Sequence, residues 1–335
     1  MTSRYSLVSV CLLLLAALCA ASVHAQDEPP PPPPQTAQHK GEEVETIRVN
    51  TELVDLNVSV FSRDLQLPVG DLQQKDFAVL ENGSAEEISF FASSSTPFDL
   101  VLLIDLSGST ANKLDLIRKS AIRFVESARS TDRIGIVTFT NVPHIVSSLS
   151  TDRKLLVDRI KEIGKPRGGT NFWDALHFVL KDMLASKEGL RRQAVVVMSD
   201  GVDNALPDVA GPGSETTYEL LLEAVKTSEA IVVPIYLDTE SEMIKQKRAS
   251  ENSYRIARQQ FQELAGESGS HIYHARNVED LNGVYERVVR DLGRVYIIGY
   301  QPKNRIRDGS WRSVSVQVVN RPDLTARSKR GYYAR

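Results

Sequence analysis

Asp105, Ser107, Ser109, Thr170 and Asp200 are the side chains of this 335-residue chain whose types and placement could do chemistry. Asp105-Leu106-Ser107-Gly108-Ser109 follows the apolar run Leu100-Val101-Leu102-Leu103-Ile104, and Asp200-Gly201 follows Ala194-Val195-Val196-Val197-Met198-Ser199. Apolar runs of this length read as buried parallel strands, so each aspartate stands where a strand ends and a loop begins. Thr170, in Gly168-Gly169-Thr170, adds a hydroxyl from a third loop. Five oxygen side chains with no His or Cys among them form a hard donor set, suited to Mg²⁺, Mn²⁺ or Ca²⁺ rather than to zinc. Metal-dependent binding is the chemistry this set predicts.

The elements around those loops alternate. Strand character at Leu100 to Asp105, Ile134 to Phe139, Val142 to Leu149, Ala194 to Ser199 and Ile231 to Leu237 is interleaved with amphipathic helical patterns. The helices fall near Lys113 to Ala128, Leu155 to Ile163, Asn171 to Leu184, Tyr218 to Ser228 and Val278 to Leu292. This order predicts an α/β fold with an open, mostly parallel sheet covered by helices on both faces. Ligands of such sheets sit at the carboxyl ends of the strands, where Asp105 and Asp200 lie. The charged stretch Glu240 to Arg258 reads as a helical insertion on the surface.

Outside the alternating block the pattern is all strand. Leu53-Val54-Asp55-Leu56-Asn57-Val58-Ser59-Val60 alternates apolar and polar, and Phe77-Ala78-Val79-Leu80 runs into Glu81-Asn82-Gly83, a hairpin signal, before Ile88-Ser89-Phe90-Phe91. After Arg294, Tyr296 to Tyr300, Ser313 to Val319 and Leu324 to Tyr333 are again strands. Each group is too small to bury a core alone. The reading is therefore one small β-sandwich built from both ends of the chain, with the α/β domain inserted between them.

The first 25 residues carry Arg4, an apolar stretch from Leu7 to Ala21 and the small-residue site Val23-His24-Ala25. These are the marks of a secretory signal peptide, with a mature start near Gln26 and a secreted or periplasmic destination. The apolar stretch is short for a span, so no stable membrane span is expected after cleavage. Leu18 precedes Cys19 where a lipoprotein signal needs a small residue. Six prolines, Pro29 to Pro34, then form a stiff extended spacer within residues 26–45.

Both cysteines, Cys11 and Cys19, lie in the segment to be removed, so neither disulfides nor thiolate ligands are expected in the mature protein. Removal of Arg4 leaves 39 basic residues against 43 acidic ones, which argues against a nucleic-acid partner. His144, His177, His271 and His274 share no ligand spacing. Asp203 and Asn204 follow close behind Asp200 and read as polar loop residues, a supporting role behind the metal ligands being the alternative, and Trp173 reads as a packing residue.

The pattern Asp105-x-Ser107-x-Ser109, Thr170, Asp200, on this order of strands and helices, resembles the metal-ion-dependent adhesion site (MIDAS) of von Willebrand factor type A (VWA) domains. The flanks are similar to a narrower group, the secreted acidobacterial VWFA-related proteins. They share Phe77-Ala78-Val79-Leu80-Glu81-Asn82-Gly83, Ile88-Ser89-Phe90-Phe91, Tyr296-Ile297-Ile298-Gly299-Tyr300 and Lys329-Arg330-Gly331-Tyr332-Tyr333. The resemblance implies a Rossmann-like fold in which Ser107, Ser109 and Thr170 touch the cation and Asp105 and Asp200 hold it partly through water. It also implies a protein partner whose Asp or Glu completes the octahedron.

The domain reading is then signal peptide 1–25, spacer 26–45, N-terminal β segment 46–96, VWA domain 97–293 and C-terminal β segment 294–335. The function expected is adhesion or protein capture without catalysis. Two other classes share the ingredients: a Mg²⁺-dependent hydrolase, and an assembly factor working beside a separate ATPase. Against the first, the loop lacks the second aspartate of an Asp-x-Asp phosphatase. Against the second stand export and the absence of a Walker loop in this chain.

Overall fold

Leu100, Leu102 and Ile104 pack on one side of their strand and Val101 and Leu103 on the other, and all five are buried. This is why β5 (Phe98–Asp105) shows no polar alternation: helices cover both its faces. The computed structural model describes residues 53–62, 71–92, 96–108, 114–165, 168–185, 191–276 and 280–335, within a unit spanning Asn50–Arg335. The stretches read as signal peptide and proline-rich spacer, the beginning of the N-terminal β segment, and Ser109 lie outside the described residues.

β5 is flanked by β6 (Arg133–Phe139) and β8 (Arg192–Ser199), both parallel to it. β9 (Ile231–Leu237) and β10 (Tyr273–Ala275) continue the sheet in parallel beyond β8. β7 (Pro143–Ser150) closes the other edge antiparallel to β6, giving the order β10-β9-β8-β5-β6-β7. On one face lie α1 (Leu114–Ser127), α2 (Arg153–Glu162) and α7 (Leu281–Leu292). On the other lie α3 (Phe172–Phe178), α4 (Tyr218–Thr227) and α6 (Glu251–Ser268). The helix expected over Asn171 to Leu184 is α only to Phe178 and finishes as a π turn over Val179–Met183.

Two four-stranded sheets flank this domain in the sequence. One has the order β13-β1-β11-β4 and the other β14-β12-β2-β3. Their strands are β1 (Val54–Ser62), β2 (Phe77–Glu81), β3 (Ser84–Glu86), β4 (Ile88–Ala92), β11 (Val295–Tyr300), β12 (Trp311–Val318), β13 (Leu324–Arg327) and β14 (Gly331–Tyr333). Leu56, Val58, Val79, Ile298, Val314 and Val316 share one core between them. Each sheet mixes strands from both ends of the chain: β1 pairs with β11 from Val54↔Tyr300 to Ser59↔Val295, and β2 pairs with β12. The expected sandwich with an inserted α/β domain is the architecture found.

Two details differ from the sequence reading. Asn82 and Gly83, at φ 48° and 81°, make the tight turn that their types favour, but its second arm is only the three-residue β3. The Ile88 strand instead joins β11 in the other sheet. Likewise Leu324 to Tyr333 splits into β13 and β14, which pair with β1 and β12 respectively. Both are strand ends crossing from one sheet of a sandwich to the other, which alternation alone does not reveal. Among the described residues no helix is long and apolar enough to cross a membrane.

Candidate metal centre

Asp105 ends β5 and Asp200 follows β8, and because these strands are parallel neighbours both carboxylates emerge at the same sheet edge. Asp105 is fully buried and Asp200 nearly so. Oδ1 of Asp105 accepts from the Ser107 backbone N–H at 2.8 Å, and Oδ2 accepts from the Ser199 hydroxyl at 2.5 Å. Asp200 Oδ1 accepts from the Val202 N–H at 3.1 Å. Its Oδ2 accepts from Thr239 Oγ1 at 2.5 Å and from the Tyr254 hydroxyl at 3.4 Å. Burial, reinforced by the negative charge of Asp200, pushes the Asp105 carboxyl up to about 7.

Thr170 and Ser107 are also buried, at the rim of the same edge. The Thr170 loop is held from below by Asn204, whose Oδ1 accepts from the Thr170 N–H at 3.2 Å while its own N–H donates to the Thr170 carbonyl at 2.8 Å. Asn141 Oδ1 accepts from the Gly169 N–H at 3.0 Å. Asp203, fully buried, accepts from the Trp173 N–H at the start of α3 and from Ser214. Asp203 and Asn204, for which the sequence favours polar loop residues over a supporting role at the site, therefore fix the loop that carries Thr170. Gly201 has φ +73°, and a Cβ there would fall 2.9 Å from the Phe261 ring, so the turn after Asp200 needs glycine both for its backbone and for its space.

The structure thus gathers four of the five expected site residues, Asp105, Ser107, Thr170 and Asp200, around a cleft of about 470 Å³, with Asp105 beneath it. Ser109, the fifth, lies outside the described residues. Ser199, Thr239, Tyr254, Asn141 and Asn204 complete the arrangement. Only Ser199 and Asn204 sit near enough to the motifs for sequence to have drawn attention to them. The stretch Glu240 to Arg258 is helical and largely exposed, as read from sequence, but it is more than a surface insertion: α5 (Glu240–Lys245) and the start of α6 place Met243, Arg248, Ala249 and Tyr254 along the cleft. Tyr254 is fully buried, with its phenol raised by burial and by Asp200.

Two neighbouring buried carboxylates with neutral hydroxyls beside them fit a hard divalent cation, since the pair concentrates negative charge that burial penalises. Among the described residues no group of three or more His, Cys, Asp or Glu is placed to hold a metal, so hydroxyls would have to supply part of any coordination here.

A doubly wound α/β domain with its polar loops at the carboxyl edge of a parallel sheet is the class of protein defined by these features. The model of the von Willebrand factor type A domain matches residues 99–287, more than half of the chain, and the chain belongs to that family. A UPF0353 protein from Nocardia farcinica (strain IFM 10152) is 24% identical over 206 residues, 58% of this chain and 61% of that relative. The chain thus covers less than two thirds of its length.

Three solved structures are similar at low identity. BatB from Bacteroides thetaiotaomicron has a TM-score of 0.44 and 13% identity, covering 58% of this chain and 98% of that one. The vWF domain of the type V pili tip protein Mfa5 from Porphyromonas gingivalis has a TM-score of 0.45 and 14% identity, covering 58% and 94%. The pilus adhesin SpaC from Lactobacillus rhamnosus GG has a TM-score of 0.47 and 10% identity, covering 82% and 47%.

Proposed function

We propose that this protein is a binding module that works outside the cytoplasm and captures a protein partner through a divalent cation. Mg²⁺ is the first candidate, with Mn²⁺ or Ca²⁺ as alternatives, held by Asp105, Ser107, Ser109, Thr170 and Asp200. The pair Asp105 and Asp200 carries the reading: two buried carboxylates at neighbouring strand ends, one raised to about 7 by burial and by the other's charge. Such a pair lacks positive charge. Membership of the VWA family supports the interaction role.

When bound, the cation would supply a Lewis-acid site for an Asp or Glu of the partner. The chain's own groups do the rest. Ser199 and Thr239 orient the two carboxylates, Asn204 and Asn141 set the height of the Thr170 loop, and the hydroxyls add neutral donors that keep the negative charge of the site low. Binding without turnover is part of the proposal. Export rests on residues 1–25, with 26–45 as a spacer between the cleavage site and the β segments of 46–96 and 294–335 around the VWA domain of 97–293.

Calorimetry with Mg²⁺, Mn²⁺ and Ca²⁺, beside capture from an envelope fraction with and without chelator, tests the proposal. Asp200→Ala and Thr170→Ala should each weaken metal binding by about tenfold or more. A wild-type protein whose melting point and partner capture ignore both metal and chelator would overturn it.

A further inference from the structure

Arg248 is exposed at the rim of the cleft, in the turn between α5 and α6, and this turn is a built feature. Lys247 adopts φ +54° and its N–H donates to the Ile244 carbonyl, the Arg248 N–H donates to the Met243 carbonyl at 3.0 Å, and Ser250 caps α6 with a side-chain bond to the Ser253 N–H. Met243 on one side and Tyr254 on the other are buried, so both ends of the turn are anchored. Its guanidinium reaches across to the loop that carries Ser107: a Cβ on Gly108 would lie 2.7 Å from Arg248 Nη1. Gly108 leaves that space open.

Neighbouring arginines of the segment are engaged, Arg258 with Glu240 at 2.5 Å and Arg255 with Asn252 at 2.8 Å. The Arg248 guanidinium makes no ion pair or hydrogen bond with the described residues. Among the described residues lining the cleft, only Asp200 and Arg248 are charged. A divalent cation balanced by ionised Asp105 and Asp200 is neutral as a group. Among the described residues lining the cleft, Arg248 then carries the charge left over, a positive one that matches a single carboxylate.

We infer that Arg248 is a specificity-determining residue that grips the acidic side chain of the captured protein beside the cation, selecting a carboxylate over a neutral amide or hydroxyl. The inference rests on the metal-capture reading above. A guanidinium suits this role because it presents a planar fork of donors to a carboxylate and keeps its charge at every physiological pH.

The test uses the full exported chain loaded with Mn²⁺, with metal binding read by electron spin resonance and ligand binding read by paramagnetic relaxation of the probe. The probes are the peptides acetyl-Gly-Asp-Gly-amide and acetyl-Gly-Asn-Gly-amide. Arg248→Gln should lose about tenfold in affinity for the aspartate peptide, the scale of one charge-assisted contact, while binding Mn²⁺ at least as tightly as wild type because a nearby positive charge is gone. Arg248→Lys should keep part of the affinity, and Gly108→Ala, which displaces the guanidinium tip, should mimic the loss in part. Equal aspartate-peptide affinity in wild type and Arg248→Gln, both loaded with Mn²⁺, would overturn the inference. A wild type that fails to bind Mn²⁺ would instead sink the metal reading beneath it, so the two failures are distinguishable.

Discussion

Asp99 and Asp105 stand near opposite ends of the same buried strand, and their surroundings drive their carboxyls in opposite directions. Burial alone would raise both. At Asp99 it is outweighed by Arg133, with Nη2 2.7 Å from Oδ2, and by Arg191, with Nε 2.6 Å from Oδ1, which together hold the carboxyl below its usual range. At Asp105 burial is reinforced by Asp200, and the carboxyl rises to about 7. One end of β5 is neutralised from within the chain; the other carries a charge conflict that an added cation would relieve.

Asp99→Asn should therefore destabilise the fold by about 2 kcal/mol, because it strands two partly buried guanidiniums. Asp105→Asn should leave the metal-free melting point unchanged or raise it, while abolishing any rise produced by Mg²⁺ or Mn²⁺. Thermal melts of both variants with metal and with chelator make the comparison. A loss of stability at Asp105→Asn equal to that at Asp99→Asn would show both to be purely structural.

Ser199 joins the two strand ends: its hydroxyl donates to Asp105 and accepts from the Gly201 N–H at 2.9 Å. Ser199→Ala should cost about 1–3 kcal/mol, since it leaves a buried N–H without its acceptor, and should weaken metal binding as well. Denaturant unfolding and metal calorimetry on the same sample would separate the two effects.

Inside the sandwich, Glu81 and Arg312 are both buried and paired at 3.2 Å, and the hydroxyls of Tyr300 and Tyr332 each donate to Glu81 Oε2 at 2.8 Å. Glu81→Ala should cost about 3–5 kcal/mol, because it leaves the buried Arg312 guanidinium without its counter-charge. Chevron or equilibrium denaturation would read the loss, and an unchanged midpoint would refute it.

His271 packs edge-on against Phe61 with centroids 4.6 Å apart, and lies beside Tyr273, Arg327 and Asp291. Burial, aided by the Arg327 charge and opposed by Asp291, holds its imidazole below the usual value. The unfolded chain then binds a proton that the folded one refuses, so stability is full above about pH 6.5 and falls as the pH drops below it. His271→Gln should flatten that fall, measured by denaturation between pH 7.5 and 5.

Among the described strands, deleting residues 294–335 removes both neighbours of β1 and the one partner of β4, and takes β12 from β2. Hydrogen exchange should then show protection lost across 54–62 and 77–92 as well. Retained protection there would mean that the N-terminal strands close a sheet by themselves.

Much of this was legible in the residues. The apolar runs before Asp105 and Asp200 are buried parallel strands because both faces are covered, and a parallel arrangement brings their carboxyl ends to one edge without further information. The Asn82-Gly83 turn follows from the two residue types that tolerate positive φ. What tertiary structure decided lies in contacts made far along the chain. Ser199 meets Asp105 across 94 positions, and Thr239 and Tyr254 meet Asp200 across 39 and 54. Turn chemistry and periodicity report only on a residue's near neighbours, so they cannot say which hydroxyl will face a carboxylate. The charged composition of Glu240 to Arg258 reads as surface for the same reason. Its buried side, Met243 and Tyr254, and the reach of Arg248 over Gly108 exist only once β9 and α6 are packed beside β8.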